Sequence, residues 1–301
     1  MVNFPNPSGV GQVNWNGQAF DGIISGVLEY PMPGNPQGWN DDLTFCHDET
    51  GYEDHPINYS SIQNSFDCCH QYLKGIKNAS ILEIGCSSGF LVRKLKKELP
   101  DFTVIGADIV DVPLRRLATL LKDEGIPAPL LRFDLTDCPL PDAEYDAIIA
   151  LNVLEHIKED EKALAQIFRL LKPKGVFIFE VPAGSTLYDD YDRWLCHYRR
   201  YEAKQFSVLL EKKGFVRHRL SHLGFFVYPA FWALKKWRSN QKPRPTPKRE
   251  SDQNDSTSER KLISASNNIL TKLLFKLELK LGKKISWPFG IRCFGAYIKP
   301  E

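Results

Sequence analysis

The chain has 301 residues, with 39 Lys and Arg against 37 Asp and Glu and a formal net charge of +2 at pH 7. Its 43% hydrophobic and 25% charged content is that of a globular protein, which excludes a wholly disordered, collagen-like or multi-span membrane chain. At roughly 150 residues per domain, that length holds one large domain with a substantial appendage.

No apolar run approaches the ~18 residues that a spanning helix needs. The longest, Leu223 to Leu234, has 12 and contains Pro229. No Lys or Arg precedes Lys74, so neither a basic secretory signal nor an Arg-rich transit peptide is expected, and a cytoplasmic location is. The seven cysteines are an odd number without small-scaffold spacing, and reduced thiols are expected. Cys46-His47 and Cys68-Cys69-His70 lack the spacing by which one turn presents two ligands, so no metal site is expected. The small net charge conceals an asymmetry. Trp232 to Glu301 carry 16 Lys and Arg against six Asp and Glu, which leaves an acidic balance of 23 against 31 before them. Such a tail suits an anionic partner.

In chain order, residues 1–60 are rich in Gly, Pro and Asn, hold eight acidic and no basic residues, and read as an irregular extension. A helix is expected from Ser61 to Lys77. An alternation then begins, with strands at Ile81–Ile84, Thr103–Ala107, Leu130–Phe133, Tyr145–Leu151 and Val176–Val181, and helices at 88–98, 113–124 and 159–172. Strands joined by crossover helices imply a parallel sheet covered on both faces. A helix from Ala203 to Lys213 and a strand at Phe215–Leu220 follow. Residues 61–222 thus form a core. Within 223–289 the pattern changes to an apolar aromatic stretch with a basic end, a polar Pro-rich linker at 239–261 that reads as disordered, and an amphipathic helix. In that helix Leu270, Leu273, Leu274, Leu277 and Leu281 share one face, while Lys272, Lys276 and Lys280 lie on another. Residues 290–301 supply a last strand, Ile291–Ile298.

The first strand ends in Glu83-x-Gly85-x-x-x-Gly89 and opens a helix, a turn that lets a ligand approach backbone N–H groups. The dinucleotide fingerprint G-x-G-x-x-G is absent, which argues against a nicotinamide-dependent oxidoreductase. Asp108 closes the second strand about 20 residues further on, where a carboxylate accepts hydrogen bonds from ribose hydroxyls. Asp134 closes the third. Three acidic residues in register at the carboxyl edge of an open α/β sheet mark a ligand site.

These residues carry a resemblance. Ile81-Leu-Glu-Ile-Gly-Cys-Ser-Ser-Gly89, Ala107-Asp108, Phe133-Asp134-Leu135, Tyr145-Asp146-x4-Leu151-Asn152-Val-Leu-Glu155-His156 and Leu170-Leu-Lys-Pro-Lys-Gly175 resemble the ordered motifs of class I S-adenosylmethionine-dependent methyltransferases. The likeness runs from about 75 to 220. It implies a Rossmann-like, seven-stranded α/β sheet with helices on both faces, closed by an antiparallel last strand and carrying 223–289 as an inserted C-terminal helical element. It further implies S-adenosyl-L-methionine as cofactor, with Glu83, Gly85, Ser87 and Gly89 around its methionine part, Asp108 and Ile109 at the ribose, Asp134 and Leu135 at the adenine, and Asn152 at the rim. Ser87 stands where the family usually has glycine.

Tyr188-Asp-Asp-Tyr-Asp192-Arg-Trp-Leu-Cys-His197-Tyr-Arg199-Arg200-Tyr201 resembles the D-x3-G-H-x-R-R-Y segment of a subset of these enzymes, with Cys196 at the glycine position. This is the acceptor-side candidate. His197, which titrates near neutrality, suits a general base or an acceptor-orienting group. Arg199 and Arg200 suit an acceptor phosphate or carboxylate, or pairing with the nearby aspartates. His156 is a secondary candidate. Leu273-x3-Leu277-Glu278 and Trp287-Pro-Phe-Gly290 resemble the C-terminal pattern of the same subset, whose members are often linked to cell-surface glycan or lipid metabolism. The expectation is methyl transfer to a small-molecule, glycan or lipid-linked acceptor, on oxygen, with 223–289 docking on an anionic membrane surface. The alternatives are a catalytically inactive cofactor-binding or membrane-associated regulatory protein, and a lid packed on the protein's own core. A nucleic-acid substrate is not expected, because the catalytic region is acidic and no N-P-P-Y-type tetrapeptide follows the fourth strand.

Overall fold

Apolar strands separated by one-sided helices leave few arrangements open, and a computed structural model adopts one of them. The structure describes residues 2–5, 12–15, 27–30, 55–239 and 268–301. The elements are β1 (Val2–Pro5), β2 (Gln12–Trp15), β3 (Val27–Glu29), α1 (Pro56–Tyr72), β4 (Ser80–Ile84), α2 (Phe90–Glu98), β5 (Thr103–Asp108), α3 (Asp111–Asp123), β6 (Leu130–Arg132), β7 (Tyr145–Leu151), α4 (Asp160–Leu170), β8 (Leu171–Pro182), α5 (Asp190–Trp194), α6 (Ala203–Lys212), β9 (Val216–Leu223), α7 (Tyr228–Ser239), α8 (Ile269–Gly282) and β10 (Arg292–Ile298).

The main sheet has eight strands in the order β3-β6-β5-β4-β7-β8-β10-β9. β10 runs antiparallel to both β8 and β9, and the other neighbours are parallel. Alternate side chains bury both faces. Leu82, Ile105, Ile148, Phe177 and Phe179 pack under α4 and α6, while Ile81, Val104, Ala147, Ile149 and Ile178 pack under α1, α2 and α3. In α3 the apolar set is Leu114, Leu117 and Leu121, a three- and four-residue spacing that makes one buried stripe.

Three expectations are corrected. Val27–Glu29 pairs in parallel with β6, so the sheet gains an eighth strand from a region read as irregular, and Val2–Pro5 pairs antiparallel with Gln12–Trp15. α1 begins at Pro56 instead of Ser61, because proline in the first turn gives up no hydrogen bond, and it ends at Tyr72 before Gly75 (φ +90). β8 begins at Leu171, before the Lys-Pro-Lys-Gly turn. Pro173 is accommodated where the register with β7 shifts between Tyr145 and Ala147. The linker expected at 239–261 lies, past Ser239, outside the described residues.

The segment after β9 folds back on the core. Glu278 of α8 is buried and accepts from the Gly224 and Phe226 N–H groups at 2.7 and 3.4 Å, and Arg219 donates to the Gly282 carbonyl at 2.6 Å. The buried side of α8 is formed by Phe275 and Glu278. The leucine face faces out, with Leu270 66%, Leu273 57% and Leu277 45% exposed.

Candidate active site

The carboxyl ends of β4, β5, β6 and β7 lie side by side, so the residues that end them form one rim. After Ile84 the chain turns through Gly85 (φ +73) and reaches α2 at Gly89 (φ +70). A Cβ at Gly85 would collide with Val153 Cγ2, and one at Gly89 with the Leu117 side chain. Both glycines are therefore required by backbone conformation and by close approach. The N–H groups of Gly85 and Cys86 donate to the Ala107 carbonyl at 2.8 and 3.0 Å, which ties the loop to β5. Ser87 adopts φ +44, a left-handed conformation that a side chain makes costly.

Asp108 accepts from Ser87 N–H at 2.9 Å through Oδ2 and from Val110 N–H at 3.0 Å through Oδ1. Each oxygen keeps a lone pair, and the carboxylate is held rigidly at the strand end. Glu83 is almost fully buried, and its Oε2 has no hydrogen-bond partner. Burial pushes its carboxyl up to about 8, against the opposing Val92 backbone hydrogen bond and with a further push from Asp108. Ile109 is half-buried and its carbonyl accepts from Arg132 Nε at 3.0 Å. Asp134 caps a short turn, with Oδ1 accepting from both the N–H and the hydroxyl of Thr136 at 2.8 Å, and Leu135 is buried behind it. Asn152 has φ +54, and its Nδ2 donates to Glu180 Oε1 at 3.1 Å.

The acceptor-side segment packs on the loop after β7. Tyr198 N–H donates to the Glu155 carbonyl at 2.8 Å, and the His156 and His197 rings meet edge to face with centroids 4.7 Å apart. Asp192, fully buried, is the hub. Its Oδ1 lies 3.1 Å from His197 Nδ1 and accepts from Arg200 Nε at 2.8 Å, and its Oδ2 accepts from Lys235 Nζ at 3.0 Å. Burial opposes ionisation of Asp192, but the hydrogen bonds from His197 and Arg200 and the charges of Arg200 and Lys235 outweigh it and hold the carboxyl far below the usual range. Burial lowers the affinity of His197 for a proton, more than Asp192 raises it, so the imidazole is neutral near pH 7.

The structure gathers the nine predicted cofactor residues along the rim and brings His197, Arg199 and Arg200 to the loop after β7. Both guanidinium groups are engaged within the protein, and that of Arg200 is buried. Arg200 is 6% exposed and is spent on Asp192 and the Ala183 carbonyl; Arg199 pairs with Asp160 at 2.6 Å and donates to the Lys158 carbonyl at 2.7 Å. Both position the segment. Sequence reasoning missed Glu180, buried in β8, which accepts from Ser61 Oγ and Arg292 at 2.7 Å each and so ties α1 and β10 to Asn152. A lone carboxylate in the run Val176-Phe-Ile-Phe-Glu180-Val was the available signal. It also missed Lys235, whose partners lie 43 and 46 residues away. Glu155, His156 and His197 gather as well, although no metal site was expected from the cysteine spacings; each offers one potential ligand atom within 4.8 Å of the others.

With this geometry in place, comparison with known proteins identifies the core. Residues 82–179 match the family described as methyltransferase domain. Over 146 residues the chain is 31% identical to a probable S-adenosylmethionine-dependent methyltransferase of Mycolicibacterium smegmatis, covering 45% of this chain and 51% of that protein. Over 141 residues it is 29% identical to malonyl-[acyl-carrier protein] O-methyltransferase of Halalkalibacterium halodurans, covering 45% and 49%. The chain thus spans about half the length of these curated relatives. Among solved structures it is similar to Haemonchus contortus phosphoethanolamine N-methyltransferase 2, in complex with phosphomonomethylethanolamine and S-adenosylhomocysteine, with a TM-score of 0.54 at 17% identity over 89% of this chain and 62% of that one. It is also similar to the [4+2]-cyclase SpnF, with a TM-score of 0.52 at 16% identity over 79% and 80%. Residues 82–179 are thus a methyltransferase domain, on a fold shared with solved S-adenosylmethionine-dependent methyltransferases. The sheet's antiparallel last strand is the one that the sequence resemblance implies.

Proposed function

We propose that the chain transfers a methyl group from S-adenosylmethionine to an oxygen of a small-molecule, glycan or lipid-linked acceptor. The carrying observation is the pairing of Glu83 and Asp108 across the Gly85–Gly89 turn. A buried Glu83 oxygen without a partner suits an amino group, and the fixed Asp108 carboxylate suits two ribose hydroxyls. The residues present therefore fit the cofactor. Glu83 and the glycine turn would hold its methionine part, Asp108 and Ile109 the ribose, Asp134 and Leu135 the adenine, and Asn152 the rim. Bound there, the cofactor supplies an electrophilic methyl group.

The protein's own work is alignment and exclusion of water. Asp192 fixes the His197 ring through Nδ1, which leaves Nε2 of a neutral imidazole to orient an acceptor hydroxyl or take its proton. Arg200 and Lys235 keep Asp192 ionised and in place. The relatives differ in what they methylate, so oxygen as the acceptor atom rests on His197 and on the subset resemblance. Incubation with labelled cofactor and a panel of acceptors, beginning with lipid-linked sugars, tests the reading; labelling confined to amines or carbon acids would contradict it.

We further propose that the exposed apolar side chains of α7 and α8 dock on an anionic membrane surface, the location we infer for a cytoplasmic protein of this kind. Ile269, Leu270, Leu273, Leu277, Trp232 and Trp237 are all exposed, and Lys272, Lys276, Lys280, Lys283 and Lys284, in α8 and just after it, are exposed too. Exposed apolar side chains and exposed cations on one helix suit the interface of acidic lipids. Among the described residues no helix is long and apolar enough to cross a membrane. Co-sedimentation with vesicles containing anionic lipid, lost at high salt and in Leu273→Glu with Leu277→Glu, is the expected result; no binding at low salt would end the proposal.

A further inference from the structure

The loop after β7 encloses a carboxylate that finds no donor. Glu155 is fully buried, and both of its side-chain oxygens lack a hydrogen-bond partner. Such a group costs on the order of 1–3 kcal/mol when left unsatisfied, and packing alone would be better served by an apolar residue. What surrounds it is chemically specific. His156 is its neighbour in sequence, and His197 is brought from the other side of β8 by the Asp192 hub. One donor atom from each of the three lies within 4.8 Å of the others.

His197 is prepared in a further way. Its Nδ1 faces Asp192 Oδ1 at 3.1 Å, so the nitrogen it can offer is Nε2. A carboxylate holding the far nitrogen of an imidazole is the arrangement that fixes ring orientation and raises basicity in metal-binding histidines. Asp192 is itself clamped by Arg200 and Lys235, which makes the support rigid.

We propose that Glu155, His156 and His197 bind a divalent transition-metal ion of the Zn2+ class. Two imidazoles and one carboxylate favour such borderline ions over Mg2+ or Ca2+, which prefer sets made wholly of oxygen. Bond lengths of about 2.0–2.2 Å require the three side chains to close by an ångström or so around the ion, and three protein ligands leave positions open. Those positions take an oxygen donor of the acceptor. His197 then orients the acceptor through the ion, and its Nε2 is no longer available to take a proton. This use of the ion rests on the methyltransferase reading; binding of the ion does not.

The test uses the full chain after treatment with a chelator. Zn2+ is titrated by calorimetry, and Co2+ is added to a second sample to read its ligand-field absorption. The expected result is one saturable site, weakened about tenfold or more in Glu155→Gln and in His156→Gln, with a Co2+ spectrum lost in both. Cys196→Ser, beside the site, is expected to bind as wild type. Glu155→Gln nearly preserves the shape of the side chain and is expected to fold, which circular dichroism checks. Absence of a saturable site, a site untouched by both substitutions, or one abolished by Cys196→Ser would overturn the proposal. Binding of S-adenosylhomocysteine to the same preparations separates the two readings. Cofactor without metal refutes the metal site alone, and metal without cofactor refutes the methyltransferase reading alone.

Discussion

Lys235 Nζ lies 3.0 Å from Asp192 Oδ2, and both side chains are buried. The contact joins α7, the first helix of the inserted element, to the segment that carries His197. It ties the insertion to the Asp192 cluster. Asp192 also serves Arg200, His197 and the backbone N–H of Asp189, so one carboxylate organises a cluster of opposite charges.

Removing that carboxylate leaves buried Arg200 without a carboxylate partner and Lys235 with Asp189 alone. Asp192→Asn is expected to destabilise the protein by about 3–5 kcal/mol, more than loss of either cation alone. Denaturant unfolding of Asp192→Asn, Arg200→Met and Lys235→Met gives the ranking; Asp192→Asn within ~1 kcal/mol of wild type would contradict the hub role.

Lys235 also lowers the proton affinity of His197. In Lys235→Met the imidazole is expected to titrate at higher pH than in the wild type, read from histidine ring resonances in an NMR pH titration. An unchanged or lower titration point would mean that the Asp192 cluster rearranges when the lysine is lost.

Ser87 and Cys196 stand where the resembled motifs have glycine, and both adopt left-handed backbone, at φ +44 and +59. The strain that glycine would avoid is present in this chain. Ser87→Gly and Cys196→Gly are each expected to stabilise by about 0.5–1 kcal/mol, with the midpoint of urea unfolding raised and its slope unchanged. Ser87→Gly should leave the Asp108 hydrogen bond in place, because that bond uses the backbone N–H.

Burial raises the Glu278 carboxyl to about 7, against the hydrogen bonds it accepts from Gly224, Phe226 and Phe225. The folded state therefore holds its proton more tightly than the unfolded state, whose carboxyl titrates near the ordinary 4.5. The resulting stability is fully present below that value and is lost as pH rises through about 7. Glu278→Gln should remove this loss. Thermal melts of wild type and variant between pH 4.5 and 8 are expected to diverge in that direction, and parallel curves would contradict it.

Much of this was legible in the chain because period and punctuation agree with the fold. Strand runs such as Ile81–Ile84 and Tyr145–Leu151 bury apolar side chains on both faces, as a covered parallel sheet requires, and Gly85 and Gly89 mark the turn between β4 and α2. Val27–Glu29 carried no comparable signal. Three residues are too few for a period, and the strand exists because it pairs with β6. The leucine stripe of α8 was visible, but its direction was not, since Phe275 and Glu278 decide which side packs. The Glu155, His156 and His197 cluster was hidden for a different reason. Its third member comes from beyond β8 and is placed by Asp192, so no local spacing announces it.

Methyl transfer by this chain requires cofactor binding at the β4–β5 edge. Titration calorimetry of S-adenosylmethionine and S-adenosylhomocysteine into the wild type, into Asp108→Ala and into Glu83→Gln tests it most directly, with circular dichroism checking that the variants fold. Saturable binding of one equivalent in the wild type, lost in Asp108→Ala and weakened in Glu83→Gln, is the predicted result. No saturable binding in the folded wild type, or binding unchanged in folded Asp108→Ala, would contradict it.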